Sequence, residues 1–184
     1  MPGFLTDIQT LRERARAEIQ KGPLTQAYGA NLERVIQVCN EALAMELVLV
    51  LGYKRHHDTA TGIHAEPVAR HFLEHAADEQ EHADRLVDCI VQLGGKPDLD
   101  PAMLSIRADT EYDAGHDLIE MIQEDLVAER IAIASYTEIA CWIGDENSST
   151  RRLLDDLLAD EEDHADDLTT LLGGRGQETA TRSP

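Results

Sequence analysis

Aromatic side chains are scarce in this chain: Phe, Tyr and Trp together supply 4% of its 184 residues. Runs of β-branched residues punctuated by hairpin turns are missing too, which argues against a fold built from many short strands. Positive charge is short, with 16 Lys and Arg against 36 Asp and Glu and a formal charge of −20. Such a surface repels phosphates and is a poor match for nucleic acid. Three cysteines without a C-x-x-C pair supply no disulfide framework. The N-terminal "MPGFLTDIQTLRERARAEIQ" lacks the apolar core of a signal peptide. The most apolar run, Leu47–Tyr53, is too short to span a bilayer. A soluble, cytoplasmic protein is expected.

What is abundant forms helices: Ala, Leu, Ile and Glu. Helical periodicity places a first long helix from about Asn31 to Asp58, where Leu32, Val35, Cys39, Leu43, Leu47 and Val50 recur at three- and four-residue intervals. "TATGIHAEP" breaks it, and a second helix runs from about Glu66 to Leu93, stopping at Gly94–Gly95. A third covers roughly Ala114 to Ile143, and a fourth follows "GDENSST" to about Leu172. Residues 1–30 read as an extension with a short amphipathic helix near Thr6–Gln20, and 173–184 as a polar tail. The twenty residues from Gly94 to Asp113 are too many for a hairpin loop. Fully extended they reach about 60 Å, enough to cross the length of a bundle. An all-α four-helix bundle (residues 31–172) is therefore expected, with a long crossover between the second and third helices and a short helix near "MLSIRAD".

The chain repeats itself. "DEQEHADRL" at Asp78 and "DEEDHADDL" at Asp160 each carry Glu-x-x-His. Glu41, Leu43, Glu46 and Tyr53 recur as Glu124, Leu126, Glu129 and Tyr136. Glu46 and Glu79 lie equally far from the first turn, as Glu129 and Glu161 do from the second, so each hairpin sets one lone Glu beside one Glu-x-x-His. Residues i and i+3 share a helix face, so each Glu and His of a phrase can reach one metal region. The lone glutamates sit in "ALAMELVLVL" and "DLVAERIAIA", where an unpaired carboxylate is costly. Glu46, Glu79, His82, Glu129, Glu161 and His164 thus form the expected ligand set of a carboxylate-bridged dimetal centre, with Fe or Mn preferred and Zn possible. A further acidic-x-x-His, Asp113 to His116, lacks partners at the right level.

These motifs resemble the ferritin-like superfamily across about Asn31–Leu172, and most of all its bacterioferritin and Dps-like miniferritin branch. The resemblance implies that Glu79 and Glu161 bridge two irons per subunit, with Glu46 and His82 completing one and Glu129 and His164 the other. Tyr53 matches a tyrosine near the family's centre, and a core aromatic is the plainer alternative. It further implies oxidation of Fe(II) by O2 or H2O2 and storage of ferric mineral in an oligomeric cage. In bacterioferritin a haem-ligating Met follows the first bridging Glu; here Gln80 stands there, and no haem is expected. The short polar stretch after Leu172 leaves no room for a fifth helix, which favours a dodecamer over a 24-mer. Dimanganese catalase or peroxidase chemistry on the same ligands, and a DNA-coating Dps-type role, are the rival readings. The basic residues Arg12, Arg14, Arg16 and Lys21 are offset by Asp7, Glu13 and Glu18, against the second rival. The cysteines fall toward one end of the bundle, and Cys89 and Cys141 are candidates to pair or act as a redox dithiol, beside the plainer expectation of inert thiols.

Overall fold

The computed structural model describes residues 6–21, 31–63, 65–108, 115–145 and 147–180, with side chains as far as Gly173. It is all-helical, with no strand among the described residues. Helix α1 (Ile8–Ala17) is followed by a 3₁₀ turn (Ile19–Lys21), then α2 (Leu32–Thr59), α3 (Ala65–Gln92), α4 (Leu104–Arg107), α5 (Leu118–Ile143) and α6 (Ser148–Ala180). The remainder of the extension, residues 22–30, and the end of the crossover, 109–114, lie outside the described residues.

Local chemistry sets the boundaries. Asn31 accepts from the Arg34 amide to cap α2, and Asp117 accepts from Ile119 and Glu120 to cap α5. Residues 115–117 are therefore not helical, and α5 begins at Leu118 rather than near Ala114. Pro67 stands in the first turn of α3, where its missing N–H costs nothing. Gly94, at φ 78°, closes α3: its amide reaches Val91 and that of Gly95 reaches Ile90. A Cβ at Gly95 would stand 2.6 Å from the Ile36 side chain, so glycine lets the crossover press against α2.

The crossover then stays on α2. Asn40 donates to the Lys96 carbonyl and accepts from the Asp98 amide, while Arg107 of α4 holds the Asp98 carbonyl and carboxylate. This strap carries the chain toward the far end, so α5 runs antiparallel to α2. The pairings Tyr53–Glu129 and Glu46–Tyr136 record that direction. The core is continuous on both sides of a polar middle layer: Leu49, Tyr53 and Phe72 toward the first turn, and Leu43, Leu86, Ile90, Leu154 and Leu157 toward the second. By length and composition α2 passes for a membrane-crossing helix. Most of its apolar side chains are instead buried in this core.

Helix α6 continues to Ala180, past the stop expected near Leu172. The pair Gly173–Gly174 weakens a helix by about 1 kcal/mol per residue relative to Ala but does not forbid one. A Cβ at Gly173 would meet nothing within 4 Å, so no packed neighbour imposes a turn there.

Candidate metal centre

Each long helix delivers part of one buried polar layer. Glu46 comes from α2, Glu79 and His82 from α3, Glu129 from α5, and Glu161 and His164 from α6. All four carboxylates are fully buried, and the imidazoles nearly so. Their ligand atoms fall into two groups, Glu46–Glu79–His82–Glu161 and Glu79–Glu129–Glu161–His164, each within a span of 4.8 Å. The groups overlap at Glu79 and Glu161. Both imidazoles turn Nδ1 inward: His82 Nδ1 lies 3.1 Å from Glu79 and from Glu161, and His164 Nδ1 lies 3.0 Å from Glu79 and 3.4 Å from Glu161.

The layer is unsatisfied by protein alone. Glu46 Oε2, Glu79 Oε1, Glu129 Oε2, Glu161 Oε2 and His164 Nδ1 are buried without a hydrogen-bond partner. Buried polar atoms are rarely left so. Here five converge, and four are carboxyl oxygens, so the donor set fits hard or borderline divalent cations held by oxygen with one imidazole each. In the metal-free protein, protons do that work. Burial and the charges of Glu161 and Glu79 push Glu46 and Glu129 well above the usual carboxylate range. Burial opposes ionisation of Glu79, but His164 and His82 overcome it and hold Glu79 at about 2. Burial likewise disfavours the imidazolium of His164, yet Glu161 and Glu79 raise it to about 10, and His82 rises for the same reason.

Around the layer stands a second ring. His82 Nε2 faces Asp160 at 3.4 Å, and His164 Nε2 faces Asp78 at 3.6 Å. Each Asp precedes one Glu shared by both groups and faces the histidine of the opposite hairpin. A carboxylate behind a histidine fixes the tautomer that leaves its other nitrogen free for a cation. The tyrosines cross over as well: Tyr53 donates to Glu129 and Tyr136 to Glu46. Burial and those carboxylate charges raise both phenols, so they remain protonated donors. His75 Nδ1 lies 3.2 Å from the Tyr53 hydroxyl, and its ring stacks on His164 at 4.2 Å between centroids. One layer away, His56 binds Asp125 through Nδ1 at 2.8 and 2.9 Å, both residues buried.

A cleft of about 420 Å³ between α3 and α6 opens onto the histidines, lined by Asp78, Glu81, His82, Arg85, Asp160, Asp163 and His164. Four carboxylates against one guanidinium make this mouth attractive to cations.

Every residue singled out from the spacing lies in or against this layer. The structure adds Asp78, Asp160, Tyr136, His75 and the His56–Asp125 pair. The two aspartates open the repeated phrases, so their signal was present in the sequence. His75 sits one heptad before His82 on the same face of α3. Gln80 is half-buried and donates to Asp84. Of the Asp113–His116 phrase, Asp113 lies outside the described residues, and His116 is exposed.

Of the two candidate states for Cys89 and Cys141, the structure shows unpaired thiols. Cys141 falls between the buried Ala140 and Ile143 of α5, and its phase turns it outward. Cys89 instead lies beside Cys39 and 3.6 Å from the Thr150 hydroxyl. The Cys39 thiol holds Cys89 down at about 7, while Cys89 and burial push Cys39 up. All three thiols are free.

Comparison with known proteins agrees with this geometry. Residues 36–175 match the Ferritin family, described as a ferritin-like domain. The chain is 34% identical to a bacterioferritin of Brucella melitensis, over 76% of this chain and 83% of that one. It is 29% identical to a bacterioferritin of Mycolicibacterium paratuberculosis, over 75% and 83%. Among solved structures, a dodecameric thioferritin, the bacterioferritin-related protein from Bacteroides fragilis, superposes with a TM-score of 0.80 at 28% identity, covering 83% of this chain and 92% of that one. A ferritin-like, diiron-carboxylate protein from Bacillus anthracis superposes with a TM-score of 0.65 at 26% identity, covering 78% and 99%.

Proposed function

The chain belongs to the ferritin-like family, and from that premise we propose that it is a cytoplasmic ferroxidase that oxidises Fe(II) with O2 or H2O2 and stores the ferric product inside a homo-oligomeric shell. The observation that carries this reading is the pair of overlapping ligand groups sharing Glu79 and Glu161. Two cations placed in them share both carboxylates and have one private carboxylate and one imidazole apiece. A ferrous pair there supplies two electrons at once to a single oxidant molecule.

The protein's own residues do the rest. Glu46 with His82, and Glu129 with His164, hold one substrate ion each, and Glu79 with Glu161 lies between them. Asp160 and Asp78 keep the imidazole Nε2 protonated, so Nδ1 remains the ligand atom. Tyr53 and Tyr136 fix one oxygen of each lone glutamate and leave the other directed into the layer. The acidic mouth draws Fe(II) from solvent, and the apolar core above and below excludes bulk water.

A dodecamer is the assembly we favour, by similarity to the dodecameric neighbour. Leu51, Val127 and Trp142 are each about half exposed on the single chain, as large apolar residues are at contacts between subunits. The test is aerobic loading of metal-free protein with a large excess of Fe(II), followed by gel filtration. Retention of many irons per chain in a particle of constant large size supports a storage shell. Retention of two per chain and no more would overturn it.

A further inference from the structure

We propose that His71, His75 and Asp167 form a third divalent-cation site beside the paired centre, suited to a borderline ion such as Fe(II), Co(II) or Zn(II). His71 and His75 are one turn apart on α3, and Asp167 faces them from α6. One ligand atom from each lies within a common span of 4.8 Å. His71 Nε2 and Asp167 Oδ2 stand 3.8 Å apart, too far for a hydrogen bond but suited to an ion with bonds of about 2.0–2.2 Å to each. Glu74 Oε2, 3.6 Å from His71 Nδ1, backs the other side of that ring.

The tautomer of His75 follows from its neighbours. Tyr53 spends its hydroxyl hydrogen on Glu129, so its oxygen can only accept from His75 Nδ1. Nε2 is left with an unshared pair on a ring that is 3% exposed. His71 is partly exposed and Asp167 largely so, which opens the site to a cation and coordinating water.

The internal repeat shows that this is not a by-product of the paired centre. With the offset of 82 that relates Glu79 to Glu161, the counterparts of His71 and His75 are Leu153 and Leu157. The counterpart of Asp167 is Arg85, which is engaged with Asp156 and Asp160. One half of the bundle therefore has two imidazoles and a carboxylate where the other has two leucines and a guanidinium. All three positions differ in the direction that creates a cation site on one side only.

The rings of His71 and His75 lie 4.8 Å apart, and those of His75 and His164 lie 4.2 Å apart. A cation on His71 and His75 is thus one imidazole away from the paired centre, a position suited to an ion in transit. That role rests on the ferroxidase reading; the site itself does not.

The test is anomalous diffraction at the cobalt edge from crystals of the full chain equilibrated with Co(II), for wild type, His71→Asn and Asp167→Asn. Solution titrations that count Co(II) per chain accompany it. The expected wild-type result is a pair of central peaks plus a third at His71, His75 and Asp167. Either variant should lose the third peak alone and bind one Co(II) fewer. Central peaks without the third, or a third that persists in both variants, would overturn this site and leave the paired centre standing. A third peak without the central pair would do the reverse. No peak at either place would overturn both.

Discussion

Tyr53 of α2 donates its phenolic hydrogen to Glu129 of α5, across the bundle and between the two halves of the internal repeat. The equivalent pair, Tyr136 and Glu46, makes the same contact in the opposite direction. Each hairpin therefore supplies the lone carboxylate of its own half and the hydroxyl that steers that of the other half. The hairpins become one site only when α2 and α5 pack antiparallel.

The two tyrosines are equivalent toward the carboxylates but not beyond them. Tyr53 also accepts from His75, whereas the position that would match His75 beside Tyr136 is Leu157. Replacement of either by Phe leaves a buried carboxyl oxygen without its donor, about 1–3 kcal/mol. Both variants should melt earlier when metal-free and slow Fe(II) oxidation. Tyr53→Phe alone should also weaken a cation held by His71 and His75. Equal behaviour of Tyr53→Phe and Tyr136→Phe in the Co(II) count would contradict this asymmetry.

Protons and cations compete for the same layer. His164 is held near 10 and His82 is raised as well, so in the fold they bind protons that the unfolded chain releases above its ordinary value of about 6.5. Glu46 and Glu129 are also raised. A group raised in the fold stabilises fully below its unfolded pKa and loses that contribution as pH climbs through the folded one. The metal-free protein should therefore begin to lose stability above about pH 4.3 through Glu46 and Glu129 and lose more from about pH 6.5 toward 10 through the histidines, and cation affinity should rise over the same range as protons leave these residues. Thermal melts of metal-free and loaded protein should diverge as pH rises. Curves that stay parallel would refute the assignment of these protons.

Asp160 and Asp78 stand behind His82 and His164. Asp160→Asn and Asp78→Asn preserve shape but remove the charge that fixes each imidazole. A loss of about 10- to 100-fold in cation affinity is expected, confined to the half served by the affected histidine. Competitive Co(II) titration measures it; unchanged affinity in both variants would remove these aspartates from the site.

The His56–Asp125 pair lies in the same bundle, one layer from the six residues of the polar layer. Burial pushes Asp125 up, and His56 opposes that shift. Asp125→Ala removes the buried carboxylate that His56 binds through Nδ1, at a cost of about 1–3 kcal/mol. Urea unfolding should register that loss while the cation count stays unchanged. A variant of wild-type stability would mean that the pair contributes nothing net.

The hairpins were legible because each ligand sits at a fixed distance from a turn marked by Gly, Asp, Asn and Ser. Helical periodicity then dictates that Glu46 faces Glu79 and Glu129 faces Glu161. The aspartates of the repeated phrases were visible, but their task was not. Residues i and i+4 of a phrase share a helix face, whereas Asp78 serves a histidine on α6. Features that break the repeat were hidden for a related reason. Asp125 corresponds to Ala42 and His56 to Ile139, so no internal copy draws attention to them. Axial level alone does not place Cys141, because helical phase decides its face: α5 puts it at the height of the other thiols but on the outer face. The end of α6 is not marked by Gly173–Gly174, because a glycine pair lowers helix stability without supplying the packed turn that would end the helix.

The central claim is that the six ligands act as a unit on a pair of ferrous ions. Its most direct measurement is stopped-flow oxidation of Fe(II) by O2 and by H2O2, titrated against metal-free protein and repeated with Glu161→Gln. The expected result is a fast phase that saturates at two Fe(II) per chain and vanishes in the variant while the helical content is retained. A rate that grows with iron without a break, or a fast phase that survives in Glu161→Gln, would contradict the account. Release of O2 from peroxide by manganese-loaded protein lacking any ferrous fast phase would assign the same six residues to a different reaction.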